Sequence, residues 1–162
     1  MRKRLILPNA AKLQPKAKER IPEEWLAIDR TATVEITSED PRFPIDSALV
    51  AEKGPCWRAA ASGPQTLRII FDTPQPLRRI SLEFSETVNE RTQQFTLRWS
   101  PSVGGSFREI IRQQWNFSPQ GSTREAENYA VELDSVAALE LAINPNVASA
   151  ESFASLDLFR MR

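Results

Sequence analysis

Along much of this chain apolar and polar side chains alternate, the mark of strands with one face buried and the other in water. Ala32, Val34 and Ile36 alternate with Thr33, Glu35 and Thr37. Leu67, Ile69 and Phe71 oppose Arg68 and Asp72, and Ile80, Leu82 and Phe84 alternate with Arg79, Ser81 and Glu83. Phe95, Leu97 and Trp99 share a face against Gln94, Thr96 and Arg98. With Ile110–Phe117, Tyr129–Leu133, Leu139–Ile143 and Leu156–Phe159, the pattern predicts about eight strands. Pro74 and Pro76 break the run Gln65–Phe84 into strand, proline turn and strand, because proline cannot donate to a ladder. Pro41 and Pro44 fix a loop over Ser38–Pro44, and Gly104-Gly105 suits a hairpin. Before Trp25 there is no sustained period, only Pro8, Pro15 and Pro22 along a polar stretch. Residues 1–24 are therefore read as an arm, with Leu5–Leu7 its candidate strand, and residues 25–162 as one domain.

Four segments taken in order resemble the discoidin, or coagulation factor 5/8 type C, domain of the galactose-binding-like superfamily. They are Pro44–Ala60, Gln65–Phe84, Phe95–Ile110 and Ala154–Arg162. In the first, a short helical turn leads to Trp57 and small residues; Trp57 matches the family tryptophan that packs in the core. The resemblance implies an all-β jelly-roll sandwich and a binding scaffold. The family's Asp-Gly turn and following tryptophan are replaced here by Gly104-Gly105 and Phe107, which keeps the hairpin and loses the turn aspartate. The extracellular members' terminal cysteine pair is absent too.

Composition narrows the chemistry. The chain has 162 residues, 41% hydrophobic and 26% charged, enough for one core without metals or disulfides. It contains no histidine, which removes Ser-His-Asp and Cys-His catalysis and the usual zinc and non-haem iron sites. The lone Cys56 beside Trp57 reads as a buried, inert thiol. Leu5–Leu7 is too short for a secretion signal, and no stretch suits a membrane span. These features point to a cytoplasmic protein. Residues 1–20 carry seven basic side chains against Glu19, while the rest carries 14 basic against 20 acidic groups. Seven cations could gather phosphates, yet no aromatic ring is interleaved with them, so nucleic acid is not the expected partner.

Recognition residues are expected around Arg108–Arg124, where alternation lapses and Trp115 and Phe117 flank Asn116 before a Pro/Gly/Ser turn. Rings beside amides and guanidiniums suit sugar or peptide recognition; the alternative is that both rings simply face the core. Arg98, Arg112 and Arg91 complete the candidate set. Discoidin-like domains recognise ligands through loops at one end, which makes Glu39–Phe43, Asn89 and Arg91 the next positions to consider. Glu39, Asp40 and Asp157 are the oxygen donors a terminal calcium would use, but no Asp/Asn-rich loop accompanies them, and no metal or cofactor is expected. Neighbouring acids such as Glu39-Asp40 or Glu23-Glu24 point apart on a strand and cannot form a glycosidase pair. The sequence thus favours a non-catalytic intracellular module for protein–protein assembly, with a carbohydrate-binding module as the alternative.

Overall fold

The computed structural model describes residues 24–162, so the arm expected over residues 1–24 and its candidate strand Leu5–Leu7 lie, save Glu24, outside the described residues. The described chain begins with a single-turn helix α1 (Ile28–Thr31), strand β1 (Ala32–Ile36) and a second helical turn α2 (Asp46–Leu49). Seven more strands follow: β2 (Trp57–Ser62), β3 (Gln65–Ser85), β4 (Arg91–Ser100), β5 (Arg108–Phe117), β6 (Arg124–Asn144), β7 (Phe153–Leu156) and β8 (Leu158–Met161). All pairings are antiparallel. The chain is an all-β jelly-roll sandwich.

Two strands of 21 residues, β3 and β6, build both layers. The first half of β3 pairs with β1 and the second half of β6, in the strand order β1-β3-β6-β4-β5. Its second half pairs with β8 and the first half of β6. The Phe84 and Phe95 rings stack with centroids 5.4 Å apart, although in-sheet register sets Phe95 beside Ile143 and Phe84 beside Glu125. That contact therefore crosses the interior from one layer to the other.

The expected break at Pro74 and Pro76 is thus a bend inside one continuous strand. Between Ile70↔Ala138 and Gln75↔Val136 the register slips, placing extra residues on β3 where Pro74 has no N–H to give. Such bulges bend a strand and let it change sheets. Likewise Tyr129–Leu133 and Leu139–Ile143, read as separate strands, are one strand, β6. The final apolar run divides at Asp157 into β7 and β8, and Trp57–Ser62 is a strand that alternation had not marked. Mergers and additions offset each other, so the strand total agrees while the connectivity differs. In the β4–β5 hairpin only Gly104 takes the left-handed region, at φ 79°.

The ribbon β2–β7 lays Trp57, Ala59, Ala154 and Leu156 onto the core. Burying each large apolar side chain removes it from water at about 1.5–3 kcal/mol apiece. Trp57 is 1% exposed and its Nε1 donates to the Ser38 carbonyl at 3.2 Å, which ties the β1–β2 loop to the ribbon. Cys56 is buried beside it, and burial first, then the charge of Asp157, raises its thiol pKa. Among the described residues no helix is long and apolar enough to cross a membrane. Trp57→Ala should cost about 3–5 kcal/mol in urea unfolding, the range for deleting a buried tryptophan. An unchanged midpoint would show that the indole does not hold this corner together.

Candidate ligand cleft at the loop end

Three loops and the outer face of the β2–β7 ribbon enclose a cleft of about 900 Å³. Arg58, Ala60, Ser155 and Phe153 form its floor, on the strand face opposite Trp57 and Leu156. Asp40–Arg42 from the β1–β2 loop, Ser85–Arg91 from the β3–β4 loop and Asn146–Ser152 from the β6–β7 loop make the walls. The lining is mostly polar, yet Val88 and Phe153 remain 75% and 49% exposed, with Val147 at 47% close by. Exposed apolar side chains beside convergent polar groups mark a recognition surface more than a folding core.

Each wall is held from within. Arg42 donates to both Asp40 carboxylate oxygens at 3.1 and 2.8 Å, and its backbone N–H adds a third bond at 2.9 Å. These bonds lower the Asp40 pKa to about 2. The Glu86 carboxylate accepts the Val88 and Asn89 backbone N–H groups at 2.9 and 3.0 Å and Arg91 Nε at 2.7 Å. Burial works to raise the Glu86 pKa, but the bonds from Arg91, Val88 and Asn89 outweigh it and leave the carboxyl below its usual range. Arg91 also donates to the Pro145 carbonyl at 2.7 Å, joining the β3–β4 wall to the β6–β7 wall. Its guanidinium lies 4.8 Å from the Phe117 ring centroid. Arg58, part of the floor, packs over the Phe43 ring at 5.2 Å.

The residues singled out in the sequence fall into three places. Arg91 lines the cleft and is locked as described. Trp115 and Phe117 share the inner face of β5, opposite Gln93 and Arg91; Phe117 is 1% exposed and Trp115 half-buried. Asn116 lies between them on the outer face, accepting the Thr92 hydroxyl at 2.7 Å. Arg98 and Arg112 share that outer face, where Arg98 reaches Glu140 at 3.7 Å and Arg112 reaches Glu109 at 3.0 Å. Arg68 extends the outer ladder, bonding Glu140 at 2.6 Å and Glu35 at 3.1 Å. Strand alternation thus separates Trp115 and Phe117 from Asn116, Arg98 and Arg112, and no single patch unites the six. The loop positions Asp40, Arg42, Asn89 and Arg91 do converge on the cleft. Phe153, Arg58 and Asn146 were missed; the visible signal was a lone aromatic after the Ala/Ser/Asn-rich stretch Asn144–Ser152.

The three acids considered for calcium are separately engaged. Glu39 accepts the Ile45 N–H at 2.7 Å, Asp40 is clamped by Arg42, and Asp157 is hydrogen-bonded by Ser85. Among the described residues no group of three or more His, Cys, Asp or Glu side chains is placed to hold a metal ion.

Behind the cleft, between the layers, lies a second polar cluster. Glu125 is 0% exposed and accepts Gln93 Nε2 at 3.3 Å, while Gln93 Oε1 accepts Arg91 at 3.2 Å. Glu125 Oε2, Trp115 Nε1 and the Tyr129 hydroxyl are buried in it, with Glu127 beside both Glu125 and Tyr129. Burial first, then the hydrogen bond and charge of Glu127, push the Glu125 carboxyl up to about 8; burial likewise raises Tyr129.

Comparison with solved structures places this architecture. A pectin-binding carbohydrate-binding module superposes with a TM-score of 0.61 at 13% identity, over 82% of this chain and 91% of that one. A family 32 carbohydrate-binding module from C. perfringens NanJ, in complex with galactose, matches at 0.61 and 13% identity, over 85% and 96%. A Clostridium perfringens module in complex with GalNAc-β-1,3-galactose matches at 0.64 and 16% identity, over 85% and 99%. The chain has the discoidin-like, galactose-binding-like fold. No protein-family model matches the sequence, and no curated protein does. At these identities the galactose-binding-like likeness is one of fold.

The Glu125 carboxyl sets a pH dependence. Its folded-state pKa lies above the ordinary 4.5, so its contribution to stability is full below that value and is lost as pH rises toward about 8. The melting temperature should fall between pH 5 and pH 8.5, by roughly 4 °C for each kcal/mol lost. Glu125→Gln should flatten that slope. A variant melting curve that tracks the natural protein across this range would show the carboxyl is not responsible.

Proposed function

We propose that this galactose-binding-like domain is a carbohydrate-binding module that takes a glycan in the loop-end cleft without chemistry of its own. The observation that carries the reading is the exposed Phe153 ring on a floor shared with Arg58 and Ser155, walled by Asn89, Asn146 and Glu151. A sugar ring presents an apolar C–H face and a rim of hydroxyls. The phenyl ring stacks on the first, while amide, guanidinium and carboxylate groups orient the second. Similar folds solved with galactose and with GalNAc-β-1,3-galactose support this choice. It puts weight on the carbohydrate alternative in place of the assembly role first favoured by the sequence. The assembly reading keeps one specific support, the outer face of the β1-β3-β6-β4-β5 layer, where Arg112 is exposed and Arg98 partly so.

A glycan array followed by calorimetry on the captured sugars tests the cleft. Phe153→Ala should weaken capture about tenfold or more, since losing a stacking ring costs on the order of 1.4 kcal/mol. The melt should shift little, because the ring is half-exposed. Undiminished capture by a stable Phe153→Ala protein would remove the cleft from the reading. Capture lost instead in an Arg98→Ala, Arg112→Ala protein would move the site to the outer sheet face.

A further inference from the structure

The two polar systems described above are one continuous chain of contacts. It starts at the Val88 and Asn89 backbone N–H groups in the cleft wall and passes to Glu86, then to Arg91. From Arg91 it enters the interior through Gln93 Oε1 and leaves Gln93 Nε2 for Glu125. Arg91 can only donate, so the Gln93 oxygen must face it and the amide hydrogens must face Glu125. The Gln93 side chain is therefore oriented at both ends, and it is 0% exposed. Nothing in this path is needed to fill the sandwich with apolar volume. A buried polar chain of this kind is costly unless every member is satisfied.

We propose that Glu125 is a positioning residue for the cleft, fixing the Ser85–Arg91 wall through Gln93 and Arg91 so that the wall's shape follows the charge on a carboxyl no ligand touches. The groups facing Glu125 make this charge matter. Arg91 on β4 is the neighbouring cation, and Glu86 in the preceding loop competes for it. Glu127 and Tyr129 lie on β6 itself, Trp115 and Gln93 are neutral, and β3 contributes Phe84 at the paired register position. While Glu125 holds its proton, Arg91 serves Glu86 and the Pro145 carbonyl, and both walls are pinned. Once Glu125 ionises beside Glu127, the interior holds uncompensated negative charge one amide away from Arg91. The guanidinium is then drawn toward Gln93, its bond to Glu86 lengthens, and the Val88–Asn89 turn loses its anchor. The proposal rests on the glycan reading only for what the cleft holds.

The test separates the two. Amide and arginine side-chain resonances of unliganded protein are followed by 1H–15N NMR from pH 5.5 to 9.5. Val88 and Asn89 N–H and Arg91 Nε–H should shift together, with one midpoint near 8. In Glu125→Gln the shifts should vanish, and in Gln93→Leu the cleft signals should stay flat while Glu125 still titrates by carboxyl 13C. A flat response in the natural protein, or one persisting in Glu125→Gln, overturns the positioning role. Galactose is then titrated at pH 6 and pH 9. Its affinity should fall about fivefold or more at the higher pH in the natural protein and stay constant in Glu125→Gln, in the usual range of site-to-site coupling. Equal affinity at both pH values in the natural protein overturns the link to binding. If no galactose or array glycan perturbs the cleft at either pH while the amides titrate as stated, the positioning role is supported and the glycan reading fails.

Discussion

The antiparallel pairing of β3 with β6 is the constraint on which the rest depends. It runs from Gln65↔Ile143 to Ser85↔Arg124 and passes through both layers, its ladder interrupted by register shifts between Ile70 and Arg79. One pair of strands therefore sets how the layers stack, where β1, β4 and β8 attach, and which loops emerge together. The bulged segment around Pro74 is where the pair turns from one layer to the other. A bulge there keeps most backbone groups paired while the strand changes direction, which a hairpin at the same place would not do.

That arrangement leaves the interior uneven. Along most of the sandwich the two layers meet through Leu, Ile and Phe side chains, as at Phe84 and Phe95. Near the cleft the inner face of β6 instead carries Glu125 and Glu127, and β4 meets it with Gln93 and Arg91. Buried polar groups retained against their desolvation cost mark a place where orientation matters more than stability. Their position directly behind the Ser85–Arg91 wall gives that orientation something to act on. By contrast, the outer ladder Glu35–Arg68–Glu140–Arg98 is a surface feature, worth little individually because water screens it.

The cleft is assembled from parts that differ in stiffness. Its walls are clamped by Asp40–Arg42, by Glu86–Arg91 and by the Arg91–Pro145 bond, so the backbone frame is preorganised. Its floor offers the exposed ring of Phe153 beside Arg58. The proposed glycan would thus meet an exposed platform inside a preorganised frame.

Most strand positions, and the way those strands face, are legible in the chain alone. Alternation at Val34, Ile69, Leu82 and Leu97 reports burial directly, because side chains on a strand have a period of two whatever the topology. The family resemblance, not alternation, marked Trp57 as core and implied the jelly roll. Tertiary structure alone decided which strands were continuous and which loops shared an end. Reading Pro74–Pro76 as a turn lays the two halves of β3 side by side in one sheet. Reading it as a bend carries the second half into the other layer, where it pairs with β8 and returns Ser85 to the end at which Gln65 starts, beside Asp40–Arg42 and Asn146–Ser152. Local sequence cannot distinguish the two, since both need proline and an interrupted ladder at the same place. The same limit hid Phe153, an aromatic whose exposure depends on loops distant in sequence. It also hid Glu125, which looks like one more surface acid until the fold turns its strand face inward.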